Sequence, residues 1–201
     1  MTDSLQSRVT SEASSQVVLV LRNLMAQRYP DLGAHVNKVA YHSAAVAAET
    51  GFEDQVALTQ AASLHDLGKL ALPDSILQAP RALTEDEWLI VRRHAVVGEQ
   101  ILIAAGLGAP VTGFVRSSHE RVDGTGYPDG LAGDMIPLGA RIIAACDAYD
   151  AMTSRRPYRP VPRSSGGAAL ELMRVSGTQF DPIVVDALTQ SVLRQGGPTR
   201  T

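Results

Sequence analysis

The densest run of reactive side chains in this sequence is His65-Asp66-Leu67-Gly68-Lys69. An imidazole and a carboxylate on adjacent residues at a helix end can hold one cation while the carboxylate bridges to a second. Gly68 lets the chain turn, which brings Lys69 back towards the same cavity. For this pair alone, a buried histidine hydrogen-bonded to Asp66, with Lys69 solvated, is an equally good reading. Further donors on other segments favour the cation. His94 has Gly98 one helical turn later, a spacing that clears room on the histidine face for a close neighbour or a bound ion. His119 opens a glycine-rich segment. Asp147 lies between Cys146 and Ala148 in an otherwise apolar stretch, where an ionised carboxylate needs a metal or a partner such as a nearby arginine. Asp150 follows one turn later.

These side chains need elements to carry them. Val17, Val18, Leu21, Leu24 and Met25 recur at helical spacing and predict a first amphipathic helix that ends before Tyr29-Pro30. A polar, serine-rich leader over residues 1–16 is expected ahead of it, flexible and without the pattern of a secretory signal. The second helix is expected over about 34–50, with His35 in its first turn and Gly51 as its stop, and the third over about 54–65. Thr84 and Glu87 form a capping-box pattern ahead of a helix expected to reach Ala105, with His94 in its middle. A shorter helix over 111–118 precedes DGTGYPDGLAGD, whose glycines and Pro128 forbid regular structure. Helix returns over 138–153, breaks at Pro157, Pro160 and Pro162, and resumes over 168–175. Asp181 caps a last helix that begins with Pro182. No alternating strand pattern or internal repeat is present. The expected fold is therefore all-α, a compact bundle of about seven or more helices forming a single domain over 17–195, with a tail at 196–201.

A chain of 201 residues can bury one substantial core. Its formal charge of -3 supplies no global basic field, so DNA or RNA binding is not expected and an anionic substrate must be held by local positive charge. The single cysteine, Cys146, cannot form an internal disulfide, and it fits a reducing compartment, with cytoplasm the expected location. The most apolar stretch, 96–115, is interrupted by Glu99, Gln100, glycines and Pro110, so no membrane span is expected.

Several ordered motifs together resemble the HD-GYP branch of the HD-domain metal-dependent phosphohydrolases. They are PDLGAHVNKVA, ASLHDLGKLALPDSIL, LTEDEW followed by RRHAVVG, HERVDGTGYPDGLAGDMIPLGARIIAACDAYDAMTSRRPYRP, and GTQFDPIVV. The resemblance covers roughly Tyr29 to Pro182. It implies a helical fold binding two or three divalent iron or manganese ions, and hydrolysis of cyclic di-GMP to the linear dinucleotide pGpG or further to GMP. Carried over by motif, it makes His35, His65, Asp66, His94, His119 and Asp147 the metal ligands. It makes Asp66 and Lys69 catalytic, with Lys69 also facing phosphate. Arg156 and Arg159 match the family's phosphate contacts; Tyr127 in the GYP loop either lines the substrate cleft or anchors the loop, and Asp150 is a candidate substrate contact. The implied reaction is in-line attack on a phosphodiester by water activated between two cations.

Two positions depart from the family's pattern. Ser118 stands where the first of two consecutive histidines is usual, so one ion is left short of an imidazole. Asp31, four residues before His35, stands where members with three metals carry Glu; it is a candidate third-metal ligand or a helix N-terminal cap. Two competing functions follow. The cleft takes another nucleotide or cyclic dinucleotide, or Ser118 has turned the domain into a binding module with weakened turnover. Members of the family are often fused to sensory domains, so a homodimer or a regulatory partner acting in trans is a further expectation.

Overall fold

Helix starts and stops follow local chemistry. In the computed structural model, which describes residues 2–155 and 161–195, α1 spans Thr2–Arg28. Helix thus runs through the segment expected to be a leader, for the sequence there contains no glycine or proline to interrupt it. Helix α2 (Pro30–Thr50) starts earlier than periodicity suggests, because Pro30 is preset for the first helical position. It ends at Gly51 in a left-handed conformation, φ 67°. Asp54 caps α3 (Gln55–Leu64) by accepting from the Ala57 N–H. A 3-10 turn over Leu67–Ala71 and the single turn α4 (Asp74–Leu77) follow.

The helix expected to run unbroken to Ala105 is two helices. The capping box at Thr84 and Glu87 does open α5 (Glu85–Arg92), but the chain tightens at Arg93, whose N–H bonds to the Ile90 carbonyl at 3.2 Å. Helix α6 (His94–Ala104) then restarts, so His94 sits at a junction and not in a helix middle. A one-residue tightening barely disturbs apolar spacing, which is why the pattern alone does not reveal it. Helix α7 spans Ala109–Arg116, and the glycine-rich loop contains a 3-10 turn over Gly133–Met135. Then come α8 (Leu138–Thr153), α9 (Ser165–Arg174) and α10 (Pro182–Gln195). Ser164, accepting from the Gly167 N–H, caps α9 a few residues ahead of its expected start.

No strand forms among the described residues, which hold two isolated bridges, Asp123 with Ala132 and Ser176 with Phe180. Helix α2 is the centre of the all-α bundle and packs against α1, α3, α8 and α10. Its buried face carries Val36, Val39, Val46 and Ala47, which meet a core including Leu58, Ala61, Leu64, Ile142, Ile143 and Leu188. His35 precedes Val39 by one turn, so the stripe that drives packing also buries the histidine. Arg156, Arg159 and the tail expected at 196–201 lie outside the described residues. Among the described residues, no helix is long and apolar enough to cross a membrane.

Candidate metal centre

Two histidines sit where helices end, and this fixes which nitrogen faces the interior. His65 follows α3, and its Nδ1 lies 2.9 Å from the Ala62 carbonyl oxygen in the last turn. His94 follows α5, with Nδ1 2.7 Å from the Val91 carbonyl oxygen. A carbonyl can only accept, so Nδ1 carries the proton in both rings and Nε2 presents a bare lone pair. For His35 the corresponding partner is a carboxylate, Asp150 Oδ2, 2.6 Å from Nδ1. All three rings are buried. Their Nε2 atoms converge with Asp66 and Asp147, and His119 joins them from the loop after α7.

Asp66 lies between two groups of donors. Its Oδ2 is 3.8 Å from His35 Nε2 and 3.6 Å from His65 Nε2, while its Oδ1 is 3.5 Å from His94 Nε2. His94 Nε2 is in turn 2.8 Å from His119 Nε2. His35, His65 and Asp66 thus form one cluster able to hold a cation, and Asp66, His94 and His119 form another. Asp147 Oδ1 closes on the first cluster, 3.0 Å from His35 Nε2 and 4.0 Å from His65 Nε2. Lys69 reaches back over the 3-10 turn, its Nζ 2.6 Å from Asp66 Oδ2.

The donor set fits divalent cations on the atoms present. His65 Nε2 and Asp66 Oδ1 are buried without a hydrogen-bond partner, the condition a native interior avoids unless something else is to occupy the space. His94 Nε2 and His119 Nε2 approach to 2.8 Å, a separation that either a proton carried by His119 or a cation between the two rings accommodates. Mixed imidazole and carboxylate donors suit ions such as iron, manganese or zinc.

Electrostatics keep His94, His119 and Asp66 in ligating form. Burial lowers the His94 pKa and takes that of His119 down to about 3, so both stay neutral. Burial opposes ionisation of Asp66, yet Lys69 and the surrounding imidazoles hold it well below the usual carboxylate range. At His35 burial also favours the neutral ring, but Asp147 and Asp150 outweigh it and raise the pKa to about 9. A proton on Nε2 takes the place a cation would otherwise fill between His35 and Asp147.

Glycines allow these elements to touch. A Cβ on Gly68 would lie 2.0 Å from the His94 carbonyl oxygen and 2.7 Å from the Gly98 nitrogen. The neighbour for which Gly98 clears room is therefore the 3-10 turn itself. Beside the clusters, a cleft of about 240 Å³ is lined by Arg92, His119, Tyr127, Asp147, Gln179 and other residues. Tyr127 stacks on His119 with centroids 5.1 Å apart and planes at 16°.

Asp150, expected beside substrate, is buried behind His35; its other oxygen accepts from Ser154 Oγ at 2.9 Å. Asp31 is exposed in the first turn of α2 and belongs to neither cluster found among the described residues. Ser118 is buried, its Oγ donating to the Val115 carbonyl at 2.9 Å. Two residues escaped sequence reasoning. Glu120 is buried and accepts from the backbone N–H groups of Asp129, Gly130 and Leu131 at 2.7–3.1 Å, which pins the loop carrying Tyr127. An acidic residue just ahead of a glycine-rich loop was the only available signal. Arg92 lines the cleft; it opens the RRHAVVG motif, but nothing in that motif assigned it a role.

Residues 19–184 match the HD domain family. The chain is 41% identical over 169 residues to the cyclic di-GMP phosphodiesterase response regulator RpfG of Xanthomonas campestris, covering 81% of this chain and 44% of that protein. It is 36% identical over 183 residues to the 3'3'-cGAMP-specific phosphodiesterase 2 of Vibrio cholerae, covering 89% of this chain and 35% of that one. The chain thus spans less than half the length of these relatives. Among solved structures, Bd1817, an HD-GYP-type protein from Bdellovibrio bacteriovorus, superposes with a TM-score of 0.66 at 20% identity, over 94% of this chain and 63% of that one, which shows a shared fold. The cyclic GMP-AMP-specific phosphodiesterase V-cGAP3 of Vibrio cholerae gives a TM-score of 0.55 at 29% identity, over 88% and 40%. With the ordered motifs, the paired imidazole and carboxylate clusters and these relatives in agreement, the chain belongs to the HD-domain family, in its HD-GYP branch.

Proposed function

We propose that this chain hydrolyses a cyclic dinucleotide, cyclic di-GMP foremost, at a centre of two divalent cations. The observation that carries this reading is Asp66, whose two oxygens face separate sets of imidazoles, as a bridging carboxylate must. His35, His65, Asp66 and Asp147 would hold one ion, and Asp66, His94 and His119 the other. Iron or manganese suits this mixture of nitrogen and oxygen donors. Ions so held would supply Lewis acidity at a phosphoryl oxygen and lower the pKa of water.

The chain's own residues supply the rest. Lys69, with its side chain 24% exposed, stands at the edge of Asp66 where its ammonium can offset charge developing on a phosphoryl oxygen. Asp150 is better read as orienting His35, since it accepts from the far nitrogen of that ring and fixes its tautomer. Tyr127, held against His119, offers a flat face to a base or sugar in the cleft. Arg156 and Arg159 are retained as phosphate contacts on the family resemblance. Asp31 is better read as a residue favoured by the helix N-terminus than as a third-metal ligand, because of its exposure in the first turn of α2.

The relatives' activities support the substrate class, since those named above are called phosphodiesterases of cyclic di-GMP or 3'3'-cGAMP. The test is elemental analysis of protein purified without added metal, with product analysis for cyclic di-GMP, 3'3'-cGAMP and a chromogenic diester. Consumption of cyclic di-GMP by protein carrying about two ions is expected; cleavage of the chromogenic diester alone refutes the assignment. Ser118 motivates a second reading, because its hydroxyl is directed to Val115 and leaves the second cluster with three protein donors. Tight dinucleotide binding with at most one ion and no product would favour that binding module.

A further inference from the structure

Arg92, the last residue of α5, is exposed and lines the cleft beside His119, Tyr127 and Asp147. Its guanidinium lies over the Tyr127 ring, 5.6 Å from the centroid. Three other cations among the described residues, Arg121, Arg116 and Lys69, are already committed. Arg121 is tied to Asp123 at 2.6 Å, Arg116 to Glu99 and Asp129 at 2.6 and 2.7 Å, and Lys69 to Asp66 at 2.6 Å. No carboxylate pairs with Arg92 among the described residues, so it is an uncompensated positive charge on the cleft wall. An arginine resting on an aromatic face keeps its fork of N–H donors free for a planar anionic partner.

A cyclic dinucleotide carries two phosphodiesters. With one at the imidazole and carboxylate clusters, the other must lie outside them, along the cleft. We propose that Arg92 is a positioning residue that binds this second, uncleaved phosphodiester through its guanidinium. The inference rests on the cyclic-dinucleotide reading above. It explains how an acidic chain attracts a dianion to a pocket floored by carboxylates: Arg92 supplies local positive charge that the net charge does not.

The test is the Kd of metal-free protein for cyclic di-GMP, followed by KM and kcat after metal loading. Arg92→Gln should weaken binding by about tenfold to a hundredfold, the worth of one charged hydrogen-bonded contact. KM should rise by a similar factor with kcat within about twofold, as for an interaction made equally in the ground and transition states. Arg92→Lys, which keeps the charge and loses the fork, should fall between wild type and Arg92→Gln. Unchanged Kd and KM, a fall in kcat at constant KM, or Arg92→Lys as weak as Arg92→Gln would each overturn the role of Arg92 while leaving the phosphodiesterase reading intact. Failure of the metal-loaded wild type to bind or cleave any cyclic dinucleotide would overturn both.

Discussion

Gly68→Ala is the sharpest test of how the centre is assembled. The glycine is not in a left-handed conformation, so backbone strain plays no part. The obstacle is contact: the added methyl would sit 2.0 Å from the His94 carbonyl oxygen, 2.7 Å from the Gly98 nitrogen and 2.8 Å from the His94 carbonyl carbon. A carbon needs about 3.3 Å from a carbonyl oxygen, so the 3-10 turn and α6 must part by about 1 Å. All three obstructing atoms are backbone, and no side chain can swing away. Overpacking of this kind costs about 1–3 kcal/mol, which for a domain of this size lowers Tm by about 2–12 °C. The larger effect should fall on chemistry. Asp66 and Lys69 flank the displaced turn while His94 stands on the other side, and a misplacement of about 1 Å can cost about a hundredfold in rate. Thermal melts, bound metal per chain and turnover of cyclic di-GMP are the assays. Gly113→Ala is the matched control. Its Cβ would meet nothing within 4 Å in α7, so it should stabilise by about 0.5–1 kcal/mol. If Gly68→Ala keeps wild-type Tm, metal content and rate, the claim that bare backbone contact sets the distance between the clusters is wrong.

Other perturbations probe separate parts. Glu120→Ala strands three backbone N–H groups of the glycine-rich loop and should cost about 2–4 kcal/mol, with faster hydrogen exchange at Asp129, Gly130 and Leu131; retained protection there would refute the pinning role. Manganese at about 100 times its Kd should stabilise the wild type by about 2.7 kcal/mol in thermal melts, and Asp66→Asn should abolish that gain; an unchanged gain would mean the ions bind elsewhere. The Arg81 and Thr84 hydrogen bonds lower the Glu87 pKa to about 2. A depressed carboxyl pKa stabilises above the ordinary value near 4.5 and loses that stabilisation as pH falls towards 2, so amide protection at the α5 N-terminus should drop over that window and the drop should vanish in Glu87→Gln.

Much of the fold was legible because its signals are local. Pro30, Gly51, Thr84 with Glu87, and Asp181 mark helix ends through short-range chemistry, and the apolar stripe of α2 identifies a buried face. What escaped either leaves no mark on apolar spacing or depends on contacts distant in sequence. The break at Arg93 leaves the hydrophobic period intact, and helix α1 extends through polar residues whose composition resembles a leader. In the candidate site, the histidines and Asp66 stood out as reactive types in recognisable motifs. The role of Asp150 did not, because its partner His35 is 115 positions away, and nothing local says which oxygen faces which ring. Glu120 and Arg92 are ordinary charged residues until the loop folds over them.

The tether between each Nδ1 and a last-turn carbonyl has a wider consequence. On the two-cation reading, a cation drawing electron density through His65 or His94 would make the opposite N–H a stronger donor, and that N–H bonds the closing turn of α3 or α5. Ion occupancy and fraying of two helix termini would then belong to one linked equilibrium. Chelation would loosen secondary structure at those termini, and any substitution that unravels them would release the ion from a distance.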